Sequence, residues 1–219
     1  MHIVIINGSQ RVKKFSNTDK IIQSFATGLE EDGSTYELYS LSDRKEWDAA
    51  REAFNENDNI IIALPLYVEC VPSLLLEFLD TLPTKRTKPA QLSFILHGGF
   101  DEGYQLRLGE RFLRSLPAQL GCTYGGCLVK GGSFLIRTDA KIAERATKPY
   151  QAMGRLFAQR GTFNTREAAK FTGPEQFPWL LRLMVGLILK NVVNKKFERF
   201  AQDWGCVRPL DYKAYMLNA

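Results

Sequence analysis

The chain has 219 residues, of which 45% are hydrophobic and 24% charged, and its formal net charge is +5. That length suits one full α/β domain with an appendage, and the composition excludes disordered, fibrous and membrane-spanning classes. The four cysteines, Cys70, Cys122, Cys127 and Cys206, form no Cys-x-x-Cys pair and have only His2 and His97 to join them, so free thiols are expected and a zinc or iron–sulfur site is not.

The first element is an apolar run, Ile3-Val4-Ile5-Ile6, within a strand predicted over residues 2–6. It is too short for the apolar core of a signal peptide and has no charged stretch before it, so a cytoplasmic location is expected. The chain then turns through Asn7-Gly8-Ser9-Gln10-Arg11 and, after a short basic loop, reaches Phe15-Ser16-Asn17-Thr18. A helical pattern follows over 17–32, with Ile21, Ile22, Phe25 and Leu29 on one face. A buried strand that ends in a Gly/Ser turn and feeds a helix gathers hydroxyls and free backbone N–H groups, the geometry of a phosphate site. Either Ser16 or Asn17 serves as the N-cap. Neither Gly-x-x-x-x-Gly-Lys-Ser/Thr nor Gly-x-Gly-x-x-Gly is present at this turn.

Strand two is predicted over 34–40 and a short charged helix over 44–56. Strand three, Ile60-Ile61-Ile62-Ala63-Leu64, is apolar throughout, as a strand covered on both faces should be, and Pro65 stops it. A helix over 72–82 carries Leu74, Leu75, Phe78 and Leu79 as its buried stripe. Strand four, Leu92–Leu96, runs into His97-Gly98-Gly99-Phe100; a helix over 104–120, strand five over 125–130 and a helix near 140–160 complete the alternation. Such alternation makes a parallel, doubly wound sheet, whose ligands bind beyond the carboxyl ends of the strands. With strand order 2-1-3-4-5, the loops 7–18, 65–71 and 97–104 leave three adjacent strands at one edge. Taken singly, each loop also fits an ordinary turn or helix cap.

As a set, Asn7-Gly8-Ser9-Gln10-Arg11, Ser16-Asn17-Thr18 and Pro65-Leu66-Tyr67-Val68, with Leu76, Phe78, Leu79 and Asp80 behind them, resemble the NADPH-dependent FMN reductase family over about residues 1–130. The resemblance implies a flavodoxin-like fold and FMN as cofactor, with NADPH or NADH as electron donor. It implies a phosphate site at Ser9, Arg11, Ser16, Asn17 and Thr18. Pro65, Leu66, Tyr67 and Val68 would line the flavin ring, and His97, Gly98, Gly99 and Phe100 would close its far side. Lys13 and Lys14 could replace Arg11 as the cation, and the N–H of Tyr67 or of Val68 could meet the ring edge. Gln10 stands where family members often have proline. The stretch Ser42–Asn57 lacks the cysteine cluster many relatives carry, so no iron–sulfur function is inherited. Hydride transfer to a flavin needs stacking of the nicotinamide and no protein nucleophile, so no catalytic side chain is expected.

Residues 1–160 thus read as the FMN-binding domain and 161–219 as a helical extension. Residues 1–150 hold 18 Lys+Arg against 19 Asp+Glu, whereas residues 151–219 hold 11 against 5, so the positive charge belongs to the C-terminal part. Residues 177–200 read as one mostly apolar helix with a narrow polar stripe, Arg182, Gly186, Lys190, Asn194 and Glu198. Its uncharged run, Leu183–Leu189, is too short to span a bilayer. Packing across a homodimer or on its own domain is expected, with peripheral membrane contact through Lys195, Lys196 and Arg199 as the minor alternative. No nucleic-acid motif accompanies the basic residues, so nucleic acid is not expected as a partner. The expected activity is an NAD(P)H oxidoreductase acting on a small-molecule acceptor, a quinone, a nitro or azo compound or free flavin. A strongly acidic surface, usual in flavodoxin-type electron carriers, is missing, which favours an enzyme over a carrier or a non-catalytic module.

Overall fold

The computed structural model describes residues 1–83, 88–137, 140–188, 194–209 and 212–213. Five strands, β1 (His2–Asn7), β2 (Thr35–Ser40), β3 (Asn59–Pro65), β4 (Gln91–His97) and β5 (Thr123–Lys130), form one sheet of order β2-β1-β3-β4-β5. Every pairing is parallel. Among the described residues the helices between and after them are α1 (Asn17–Glu31), α2 (Trp47–Glu56), α3 (Ser73–Asp80), α4 (Arg107–Gln119), α5 (Ala140–Arg160) and α6 (Arg166–Phe171). This is the flavodoxin-like doubly wound architecture expected from the alternation of patterns.

Strand periodicity divides the core between the two sheet faces. Val4 and Ile6 of β1, Ile60, Ile62 and Leu64 of β3 and Leu92, Phe94 and Leu96 of β4 pack with the apolar stripes of α2, α3 and α4. Ile3, Ile5, Ile61, Ala63 and Ile95 face the other way, against α1 and α5. Both faces of β3 are therefore buried, which is why its sequence shows no polar alternation.

α1 and α5 cross with almost no side chain between their backbones. A Cβ on Gly28 would lie 1.9 Å from the Gln151 carbonyl oxygen, and one on Gly154 would lie 2.0 Å from that of Phe25. Glycine is required at this crossing because backbone meets backbone.

The chain divides into two compact units, Met1–Gln176 and Phe177–Ala219. Residues 161–176, assigned to the extension by the sequence pattern, lie in the first unit. Phe163 is buried among Phe25 and Phe157, and its N–H donates to the Gly125 carbonyl at 2.8 Å. Gly103 and Tyr104 donate to the carbonyls of Pro174 and Glu175, and Arg107 pairs with the Glu175 carboxylate. In the second unit, α7 (Trp179–Ile188) and α8 (Asn194–Asp203) occupy the stretch expected as one helix; its middle, 189–193, lies outside the described residues. No residue of α7 is buried. Among the described residues no helix is long and apolar enough to cross a membrane.

Candidate active site

The first loop is built by its own side chains. Asn7 ends β1 fully buried, and its Oδ1 accepts from the Ser9 N–H at 3.0 Å. Ser9 Oγ accepts from the Arg11 N–H at 3.2 Å, leaving its hydroxyl proton free to donate. Ser16 caps α1, its Oγ accepting from the Asp19 N–H at 3.2 Å. The N–H groups of Asn17 and Thr18, in the first turn of α1, have no intrahelical partner and point out at the positive end of the helix. Burial raises the Asp19 carboxyl above its ordinary range, with nearby Lys13 and Gln23 opposing the shift.

The second loop is strained. Val68 and Glu69 have φ of 49° and 65°, in the left-handed region, and a β-branched residue there is costly. They are the central residues of a tight turn closed by Tyr67 N–H to Cys70 carbonyl (2.9 Å) and Cys70 N–H to Tyr67 carbonyl (3.0 Å). The Tyr67 N–H is thus consumed within the turn. Of the two donors the sequence offered for a ring edge, only the backbone N–H of Val68 remains, in a residue 95% exposed.

The third loop begins at His97, which ends β4 and is 2% exposed. Its Nε2 lies 2.8 Å from Thr18 Oγ1, joining the third loop to the first, and burial pushes its pKa down to about 3, so the ring is neutral. A fourth loop, after β5, meets these three. Ser133 donates through both its N–H and its hydroxyl to the Gly98 carbonyl, at 2.9 and 2.8 Å. Asn17 Nδ2 donates to the Ser133 carbonyl at 2.8 Å, and Lys20 Nζ to that of Ile136 at 3.3 Å. The 3-10 turn Ser133–Arg137 is held in this way against both the first and the third loop.

Two adjoining cavities open at this edge. The smaller, about 160 Å³, is lined by Ser9, Arg11, Asn17, Thr18, Pro65, Leu66, Tyr67, His97, Gly99, Ser133, Phe134 and Arg137. The larger, about 320 Å³, shares Leu66, Tyr67 and Gly99 and adds Val68, Glu69, Gly98, Phe100, Gln105 and Leu106. Of the thirteen residues expected to hold FMN, Ser16 alone lines neither; Lys13 and Lys14, the alternative cations, also line neither. Sequence reasoning missed Ser133, Phe134 and Arg137; Gly131-Gly132-Ser133, a Gly/Ser turn leaving β5 at the same edge, was the signal that could have found them.

Chemically the smaller cavity suits an anion. It is lined by two guanidiniums, by the hydroxyl-bearing Ser9, Thr18, Tyr67 and Ser133 and by the first turn of α1, and among the described residues no carboxylate lines it. Two buried polar atoms at this edge, Asn7 Nδ2 and His97 Nδ1, lack a hydrogen-bond partner. The larger cavity suits a flat ring. A Cβ on Gly99 would meet only the Phe134 Cβ, at 4.0 Å, so nothing crowds the backbone there. This donor set fits FMN, with the phosphate in the smaller cavity and the ring toward the larger.

Residues 1–108 match the NADPH-dependent FMN reductase family. Residues 1–108, the stretch that carries the first three loops, belong to that family. FMN and a reduced nicotinamide are accordingly its cofactor and electron donor, and oxidoreduction is its activity. No curated protein sequence matches the chain. Solved structures share the fold at low identity. An FMN-dependent NADH-azoreductase from Bacillus anthracis, in complex with FMN, superposes with a TM-score of 0.53 at 16% identity, covering 72% of this chain and 100% of its own. A NAD(P)H:quinone oxidoreductase from Methanothermobacter marburgensis gives 0.55 at 16% identity over 71% and 98%. An NADH:FMN oxidoreductase, in its apo form, gives 0.54 at 20% identity over 76% and 92%.

Proposed function

We propose that the cleft formed by the four loops holds FMN and that the protein passes electrons from NADPH or NADH through it to a small-molecule acceptor, a quinone, a nitro or azo compound or free flavin. The observation that carries this reading is the joining of a carboxylate-free, doubly cationic cavity to a larger, apolar-walled one. FMN, when bound, supplies the hydride-accepting chemistry. The chain's own residues do the rest. Ser9, Thr18 and the first turn of α1 take the phosphate, aided by Arg11. Pro65, Leu66 and Tyr67 wall the ring, the Val68 N–H meets its polar edge, and Gly98, Gly99 and Phe100 close the other side. Ser16 acts at one remove, by capping the helix that presents Asn17 and Thr18. Asn17 acts through its backbone N–H, because its side-chain amide ties down the Ser133 carbonyl. His97 is buried and neutral, and orients the Thr18 hydroxyl without serving as an acid.

The same reading places the protein in the cytoplasm as a homodimer. Support for pairing comes from α7, whose Trp179, Leu180, Leu183, Met184, Leu187 and Ile188 are all exposed within one chain. Anaerobic addition of NADPH and of NADH to the FMN-loaded protein tests the activity. Bleaching of the flavin band near about 450 nm, reversed by a quinone or an azo dye, is the expected result. Flavin uptake without bleaching by either nucleotide would make the protein an electron carrier.

A further inference from the structure

Arg11 and Arg137 lie 126 positions apart in a chain of 219 residues, yet both line the smaller cavity. Arg137 closes the 3-10 turn after β5, outside the stretch that matches the family. Other arginines of the same unit sit on carboxylates: Arg44 on Glu77, Arg107 on Glu110 and Glu175, Arg155 on Glu31. Among the described residues neither Arg11 nor Arg137 has such a partner. Partial burial, and next the positive charge of Arg11, lower the pKa of the Arg137 guanidinium from its ordinary value. Two like charges directed into one cavity repel each other unless an anion lies between them.

The position of Arg137 is fixed by the framework around it. Asn17, from the helix that presents the hydroxyls, holds the Ser133 carbonyl, and Lys20, one turn further along, holds that of Ile136. Ser133 in turn grips Gly98 of the third loop through two bonds. The turn that carries Arg137 is thereby tied to the residues that form the rest of the anion site, and Arg137 lines the same cavity as Thr18 and Ser9.

We propose that Arg11 and Arg137 form a two-guanidinium clamp for a phosphate monoester dianion, the 5′-phosphate of FMN. The proposal rests on the reading of the cleft as the FMN site. A guanidinium presents a planar fork that matches two phosphate oxygens at once, and two forks lining one cavity match a tetrahedral dianion better than the α1 N-terminus does alone. The 2′-phosphate of NADPH has the same chemistry but belongs to the mobile donor. The serine and threonine hydroxyls beside the clamp assign it to the resident cofactor.

The test uses the full-length chain as wild type, Arg137→Met and Arg137→Lys. FMN and riboflavin affinities are read by flavin fluorescence, and Michaelis constants are read for NADPH and NADH. Arg137→Met should weaken FMN by ~10–100-fold, the loss expected for a hydrogen bond to a charged group. Riboflavin, which lacks the phosphate, should stay within a factor of about 2–3, as for a surface substitution. Arg137→Lys should recover part of the FMN affinity, because it restores the charge without the fork. The clamp is overturned if Arg137→Met binds FMN as wild type does, or loses FMN and riboflavin equally. It is equally overturned if FMN affinity holds while the Michaelis constant rises for NADPH alone, which would give Arg137 to the donor. Should the Met variant not fold, the Lys variant decides through the same FMN-to-riboflavin ratio. A wild-type protein that takes up no FMN would sink the parent reading, whereas FMN uptake unaffected by Arg137→Met sinks the clamp alone.

Discussion

His97 carries a pH signature that its surroundings dictate. Its pKa is about 3 in the folded chain and about 6.5 when unfolded, so between those values the unfolded state binds a proton that the native state does not. Stability therefore falls as pH drops through that window and is unaffected by this group above it. Urea midpoints of the wild type should decline from about pH 7 to about pH 5, and His97→Asn should show a shallower decline, whatever its absolute stability. Parallel pH dependences in the two proteins would contradict the burial account. At this scale the sequence showed which residues gather but not which of their atoms are spent. Ser16, Thr18 and His97 were legible as one edge of a sheet. That Ser16 Oγ is used by the Asp19 N–H, Asn17 Nδ2 by Ser133 and the Tyr67 N–H by Cys70 depends on local backbone geometry. No residue pattern encodes that geometry directly.

Elements were legible where hydrophobic periodicity was strong. β3 showed itself as a five-residue apolar run, and strand order 2-1-3-4-5, taken with the doubly wound alternation, put three Gly- or Pro-punctuated loops on one edge. Two features were not. The α1–α5 crossing depends on Gly28 and Gly154, each of which looks like a weak point in a helix until the partner backbone is known. Gly154→Ala should force the helices apart and destabilise the protein by about 1–3 kcal/mol, the range for overpacking a tight interior. Chemical denaturation measures it, and an unchanged midpoint would show that the crossing yields without cost. The turn after β5 was missed because Phe134 and Arg137, both solvent-exposed, belong to no apolar periodicity. Only the bonds from Asn17, Lys20 and Ser133 bring them to the cleft. Where residues 161–176 pack was left open for a related reason: their only large buried side chain is Phe163, too sparse a pattern to reveal packing on β5.

At the scale of the whole molecule, the cleft belongs entirely to the unit Met1–Gln176, while residues 177–219 carry seven Lys+Arg against three Asp+Glu beside the apolar α7. If α7 pairs with a second copy, light scattering should give a dimer for the full chain and a monomer for a chain ended at Gln176. A monomeric full-length protein would remove the dimer role, and retention on anionic vesicles by the full chain alone would give the second unit to a membrane surface. The central claim, that the loops of one sheet edge form an FMN site whose smaller cavity takes the phosphate, has a more direct test. It is an equilibrium titration of the full-length protein with FMN and with riboflavin. The account expects one FMN per chain and riboflavin weaker by ~100-fold or more, the combined worth of the hydrogen bonds to the phosphate. Equal affinity for the two flavins, or no uptake of either, would contradict it.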